Sequence, residues 1–446
     1  MDLKQKYIQL LESFNDSVSK ESDSLLGQYR KVGIQGLKTN GLPTSSDEQW
    51  LYTNLEPIFE YDWNAKTKGM DEKVNLDEVF SCDVPNLDTH VVLLINGHYF
   101  KQNNTSDLPS EVLMGGLADF SSTHSDIIKK YLFKAADVNQ KMNALNATLA
   151  QDGLFLFIPK NVQLEKPIQI INIAYGNEEY FVNQHNLIVV EEGSKAQIAF
   201  CDHTLNPTKF FVNQLTEVHL EANAHLEFYN VQNSNADTVQ VSSICVNQHR
   251  DSNFLSNIVS LHGGTIRNEL RVKLLESGAS CDVSGVNLTD RKQHVDSHTQ
   301  IDHLAPHCDS NQLYKGIYDD EGTGAFTGRI VVHPGAQKTT AFQSNKNMLL
   351  TSNAKVNTRP QLEIYADDVK CSHGATTGQL DQKAMFYLRA RGIEKNEARM
   401  LMMYAFANEI VSKIKIEPLA IRIEGLINRR LRGELSRCAN CVIQCG

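Results

Sequence analysis

The amino-acid sequence predicts a mainly β protein, a parallel β-helix core flanked by α-helical N-terminal and C-terminal regions. Three observations carry this reading. From about Leu154 to His373 the chain is a succession of short β-rich runs punctuated by Gly, Asn and Asp, with no helix-length amphipathic pattern between them. A self-similar unit recurs within those runs. Beyond about Glu397 the apolar residues switch to helical spacing.

Taken in order, residues 1–149 form the first expected region, of mixed helical character. Its opening, MDLKQKYIQLLESF, sets Leu3, Tyr7, Leu10, Leu11 and Phe14 at helical spacing with charges between them, where a signal peptide would show a continuous apolar run. A cytoplasmic protein is expected. In GLPTSSDEQWLYTNL, residues 41–55, a Ser/Asp cluster follows a Pro and can cap a helix. Residues 139–149 are polar and read as a connector.

The expected β-helix core spans 150–375. Its recurring unit is an apolar pair, one or two polar residues, a Gly or Asn near an Ala, then a new strand. It occurs as VVEEGSKAQI, VHLEANAHLEF, LLESGASCDV, VVHPGAQKTTA and LLTSNAKVNT. The alanines are Ala196, Ala224, Ala279, Ala336 and Ala354, several of them spaced by about 28 residues or twice that, with weaker copies near Asn253 and Cys308. One such unit cannot bury its own apolar face, so stacking must supply the core. Propeller blades run longer, at roughly 40 to 45 residues, which favours β-helix coils. Coils pair with coils above and below, and edges are left only at the two ends. Each end needs a cap or a partner.

Residues 376–437 are expected to be helical. Met403, Phe406, Ala407, Ile410, Val411 and Ile414 form one stripe. Pro418 suits the first turn of a second helix, lined by Leu419, Ile423, Leu426, Ile427 and Leu431. Such a hairpin can cap a solenoid or dock a partner. The last segment, 438–446, is a Cys-rich tail.

Composition narrows the function. The 446 residues carry 43 Lys plus Arg against 53 Asp plus Glu, a net charge of −10 that disfavours a phosphate backbone as partner. No run approaches the roughly 18 to 20 apolar residues that span a bilayer. Neither nucleic acid nor membrane is an expected partner. Of the nine cysteines, six are scattered singly, as inert core thiols are in a reducing compartment.

Catalytic signatures are missing: there is no GxxxxGK[ST], HExxH, GxSxG or GxGxxG. The Gly-rich EGTGAFTG, residues 321–328, lacks the Lys of a phosphate loop and reads as a tight solenoid turn. Three groups of residues can carry metal chemistry. In HVDSHTQIDHLAPHC, inward Val295 and Ile301 would send His294, Asp296, His298 and Asp302 outward together, as metal ligands or, the favoured reading, as a solvated polar ladder. Cys371 and His373 share a strand face with Val369, which on spacing alone suits a buried thiol beside a satisfied imidazole. Cys438, Cys441 and Cys445 can contribute three thiolates to zinc or an iron–sulfur cluster, although a closed site needs a fourth ligand and a flexible tail of free thiols is favoured.

The run from Arg329 to Ile414, which contains DDVKCSHGATTGQLD, closely resembles the SufB/SufD family, subunits of the SUF iron–sulfur cluster assembly system. The resemblance extends through HVDSHTQIDH and SNQLYKG, and more weakly through LPTSSDEQWLYTNL and NGHY, so it covers nearly the whole chain. Where SufB-like sequences carry a Glu-His-Glu type motif, this chain reads CSHGAT, as the SufD branch does. The resemblance implies a right-handed parallel β-helix and a non-enzymatic scaffold subunit. It implies pairing with a SufB homologue through the β-helix, binding of the ATPase SufC through the C-terminal helical region, and a homodimer when isolated. It also implies that His373, with Cys371 beside it, is an interface ligand for iron. No cofactor would be bound stably by the chain alone; the complex would hold transient iron and a nascent cluster, with a reduced flavin as a further candidate. The CANCVIQCG tail departs from the family pattern. Three alternatives compete: a homodimeric structural β-helix module, a SufB-like cluster-carrying subunit, and a β-helix polysaccharide enzyme, which would ordinarily be secreted.

Overall fold

Period-two alternation, repeated in register from strand to strand, builds two facing parallel sheets that wind as a solenoid. The computed structural model describes residues 24–63, 87–100 and 108–434. The expected helix around Leu3 to Phe14 and the cysteines Cys438, Cys441 and Cys445 lie outside the described residues. The chain is mainly β, a parallel solenoid of about eight turns with helices toward both termini. Among the described residues one sheet has ten strands, from His98–Phe100 and His90–Ile95 at one end to Lys370–Gly378 at the other; the facing sheet has nine, from Leu113–Gly116 to Lys355–Ile364.

The recurring Gly/Asn-Ala signal marks one corner of the coil. There a residue with left-handed backbone precedes a small buried one: Gly193 before Ser194, Asn223 before Ala224, Asp251 before Ser252, Gly278 before Ala279, His307 before Cys308 and Lys338 before Thr339. The copies near Asn253 and Cys308 therefore fill the double gaps. Ala196 and Ala336 flank the corner instead of occupying it, and Ala354 belongs to the opposite corner, before the Lys355–Ile364 strand. Side chains longer than these have no room where the chain turns inward, and a positive φ at the preceding residue favours Gly, Asn and Asp.

The lumen holds Ile, Val, Leu and Phe ladders such as Ile170, Ile198, Phe200 and Phe228. It is not uniformly apolar. Asp202 accepts hydrogen bonds from Asn172, Asn230 and Gln240 at 2.7, 3.0 and 3.1 Å, so an inward carboxylate is fully enclosed by amide donors.

Both outer faces are covered in part by the chain's own helices. On the nine-stranded sheet, Phe181 and Phe211 stack at 4.3 Å beneath Leu37, Phe59, Met142 and Leu145. The residues expected to be a connector supply the Lys141–Leu149 helix, buried from Met142 to Leu149. Asn143 and Asn146, which made the segment look polar, bond the carbonyls of Asp137, Gln184 and Asn213. On the ten-stranded sheet, the Lys395–Val411 and Glu417–Leu431 helices bury the expected stripe, Met403, Ala407, Ile410, Leu419 and Ile423, against Val259, Leu261, Val286 and Ile317. The stripe is used within the chain and is not a free docking face. Polar clasps fix it: Arg430 forks onto Asp290 at 2.7 and 2.8 Å, and Asn257 Nδ2 donates to the Ile410 carbonyl at 2.8 Å.

Candidate functional site at the open end of the solenoid

The two ends of the stack differ. One finishes in short antiparallel strands, His98–Phe100 turning back on His90–Ile95 through Asn96-Gly97, and Leu113–Gly116 lying against Leu154–Ile158. Short antiparallel strands blunt an edge. At the other end, Lys370–Gly378 pairs with Thr340–Leu349 and Lys355–Ile364 with Thr323–Val332, and among the described residues neither has a neighbour on its far side. Two parallel edges thus present unpaired backbone groups. Pro360 lies in one of them, as a residue without an N–H requires.

Cys371 and His373 lie on this terminal coil. The register runs from Cys371 to Ala341, Ser310 and Cys281, and from His373 to Gln343, Gln312 and Val283. Ala341, Cys281 and Val283 are lumen residues, so both columns face inward. The Cys371 thiol is half-buried against the cluster of Ile330, Val332 and Ala341, and burial pushes its pKa up even though the Ala341 N–H opposes it. Burial thus favours the neutral thiol over the thiolate. His373 is exposed, and its side chain makes no hydrogen bond among the described residues. The satisfied imidazole that spacing alone suggested is absent there. A Cβ on Gly374 would meet nothing within 4 Å, which leaves space beside the ring. Phe342, Ile364 and Tyr365 stand 45%, 41% and 60% exposed around the same end, an apolar rim of the kind that a partner covers.

An iron ion takes about four donors, and this end supplies one imidazole with both nitrogens uncommitted and one thiol. Among the described residues no group of three His, Cys, Asp or Glu is arranged to hold a metal. The donor set suits a site completed by another chain.

The His294 to Asp302 face departs from expectation. It does point away from the lumen, but it is not solvated. Residues 50–55 lie across it: Trp50 stacks on the Arg267 guanidinium at 3.9 Å, and Thr53 Oγ1 donates to Asp296 at 2.7 Å and contacts His294 Nε2 at 3.2 Å. Arg267 is 1% exposed and reaches Glu269, Asp296 and His298. Burial raises the Glu269 carboxyl, but Arg267 and Arg271 more than offset this and hold it down to about 2. Burial and Arg267 push His298 down to about 4, and its Nδ1 accepts from the guanidinium. With its lone pair engaged, His298 is a structural partner. His294, bonded through Nδ1 to Thr323 Oγ1 at 2.8 Å as well as to Thr53, is the same.

Sequence reading missed the polar column beneath His373. Gln343 Nε2 donates to Gln312 Oε1 at 3.3 Å, and Thr299 Oγ1 donates to the same oxygen at 2.7 Å. Glutamines inside a strand give no signal of their own. A counted ladder from Cys281 outward would have brought Gln312 and Gln343 to the inward face.

Comparison with known proteins finds relatives along most of the chain. Residues 173–406 fit the family model described as SUF system FeS cluster assembly, SufBD core domain, and residues 1–170 fit the SufBD protein N-terminal region. The chain is 30% identical over 437 residues to an iron–sulfur cluster assembly SufBD family protein of Synechocystis, covering 95% of this chain and 92% of that one. It is 29% identical over 406 residues to the iron–sulfur cluster assembly protein SufD of Escherichia coli, covering 90% and 92%, and 30% identical over 315 residues to SufD of Bacillus subtilis, covering 69% and 71%. With both family models matched and relatives aligned over most of its length, the chain belongs to the SufBD family of the SUF system, and its work is iron–sulfur cluster assembly.

Proposed function

We propose that this chain is a SufD-type scaffold subunit without a reaction of its own, which pairs with a SufB homologue through the open end of the solenoid. His373, helped by Cys371, contributes ligands to iron or a nascent cluster at that interface. The observation that carries this reading is the exposed, unbonded His373 beside a half-buried thiol on a coil whose strand edges are unpaired. A partner strand adding to either edge would satisfy its backbone groups and bring donors to the imidazole. Two copies of the chain pair through the same end when no SufB homologue is present. The ATPase SufC binds the C-terminal helical region, where Phe386 and Tyr387 are 75% and 58% exposed on a helix with no buried residue.

Co-expression with SufB and SufC homologues, native mass measurement and iron and acid-labile sulfide analysis test the proposal. His373→Ala should fold and assemble normally, because an exposed side chain without partners contributes within about 0.5 kcal/mol to stability. It should lose iron and sulfide, with Cys371→Ala giving a milder loss. A His373→Ala complex that carries a full cluster rejects the ligand assignment, and failure to form a mixed complex rejects the pairing.

A further inference from the structure

We propose that Gln343 is a positioning residue for His373, its Oε1 accepting the N–H of one ring nitrogen so that the other turns its lone pair toward the incoming iron. This rests on the reading of His373 as a ligand.

The two residues are register partners on adjacent parallel strands and face the same way, at the usual inter-strand spacing of about 4.8 Å. Gln343 is 3% exposed, and its amide is oriented by what lies below. As placed, Gln343 Nε2 donates at 3.3 Å to Gln312 Oε1, which the Thr299 hydroxyl also meets at 2.7 Å, while Gln312 Nε2 is buried without a partner. Gly328, across the lumen, makes room for that amide, since a Cβ there would lie 2.1 Å from Nε2. The remaining atom, Gln343 Oε1, is buried with no hydrogen-bond partner. A buried acceptor without a donor, on the register partner of an imidazole that no other group holds, is the arrangement in which the ring can turn to supply the donor. A neutral imidazole has one N–H and one lone pair, and the hydrogen bond made by the first decides which nitrogen offers the second.

The test reads the tautomer directly. In the full-length chain labelled with 15N-histidine, long-range 1H–15N correlation should show His373 as a single tautomer, its signal assigned by its loss in His373→Asn. Gln343→Met keeps the length and removes the acceptor, and should give a mixture of tautomers with an unchanged thermal midpoint. Gln343→Glu gives up the donor to Gln312 Oε1 but keeps an acceptor toward the ring, and should again fix an N–H on the facing nitrogen. If Gln343→Met does not fold, Gly328→Ala, which displaces the same amide, should give the mixture. In the complex with SufB and SufC homologues, Gln343→Met should retain several-fold less iron and Gln343→Glu should recover it. An unchanged tautomer in Gln343→Met or in a folded Gly328→Ala overturns the proposal. A shifted tautomer in a complex that keeps its iron even as His373→Ala supports the pairing and rejects the ligand reading on which it was built.

Discussion

Glu217 offers a sharp test of how the N-terminal region is held to the solenoid. It is fully buried on the outer face of the nine-stranded sheet. Its Oε1 accepts from the Phe133 N–H at 2.6 Å and meets His185 Nε2 at 3.0 Å; its Oε2 accepts from the Ala135 and Ala136 N–H groups, both at 3.0 Å. Burial raises its pKa, but the His185 hydrogen bond and charge and the backbone donors more than compensate and hold it below the usual carboxylate range. Glu217→Gln keeps the shape and replaces one oxygen by a donor. If the new NH2 takes the Oε2 position, two N–H groups face it. At the Oε1 position it opposes the Phe133 N–H alone, provided His185 changes tautomer and accepts. The second orientation is cheaper, and it still leaves one buried donor unmatched at about 1 to 3 kcal/mol and weakens three charge-assisted bonds. The expected loss is about 2 to 4 kcal/mol, read as an earlier first transition in urea unfolding, together with faster hydrogen exchange at residues 133–136. A shift under about 0.5 kcal/mol with unchanged exchange would refute the view that this carboxylate clamps the segment.

Three further outcomes follow from other parts of the molecule. His203, His298 and His303 are each pushed down to about 4 by burial, with nearby arginines assisting at the first two. Folded pKa values below the unfolded ones mean that the unfolded chain binds more protons in between, so stability should fall as pH drops from about 6.5 to about 4. A thermal midpoint flat across that window would contradict the burial of these rings. Truncation after Gly378 should yield aggregated rather than folded solenoid, because it strips the cover from Val259, Leu261, Val286 and Ile317; a monodisperse truncated chain by light scattering would show the helices to be dispensable. Replacing Phe386 and Tyr387 by Ala should weaken the SufC homologue by roughly 2 kcal/mol or more in calorimetry while leaving the melting profile intact, and undiminished affinity would move the docking surface elsewhere.

Much of the architecture was readable because a solenoid repeats the same local physics. A left-handed residue before a small buried one is required at every turn of one corner, and Asn223-Ala224 and Gly278-Ala279 announce it. The rule is blurred where Ser, Cys or Thr fills the small position, which is why Ala196 and Ala336 drew attention in place of Ser194 and Thr339. Alternation correctly turned His294 and His298 away from the lumen, but it could not foresee that Trp50 and Thr53, some 240 residues earlier, would cover them. The same limit applies to the C-terminal stripes. Periodicity identifies an apolar face and is silent about whether the chain itself consumes it. For Cys371 and His373, spacing supplied the shared face; the exposure of the ring came from the terminal place of that strand in the stack.

The inequality of the two ends bears on how far such subunits can polymerise. A solenoid adhesive at both ends would behave as a bifunctional monomer, and each addition would create a fresh growing tip. Here, among the described residues, antiparallel strands finish both sheets at one end, so the proposed joining through the Lys355–Ile364 and Lys370–Gly378 edges would use up the open end of both molecules at once. On that pairing growth would stop at two solenoids, whether the second is identical or a close relative, because the end finished by antiparallel strands offers no parallel edge to extend.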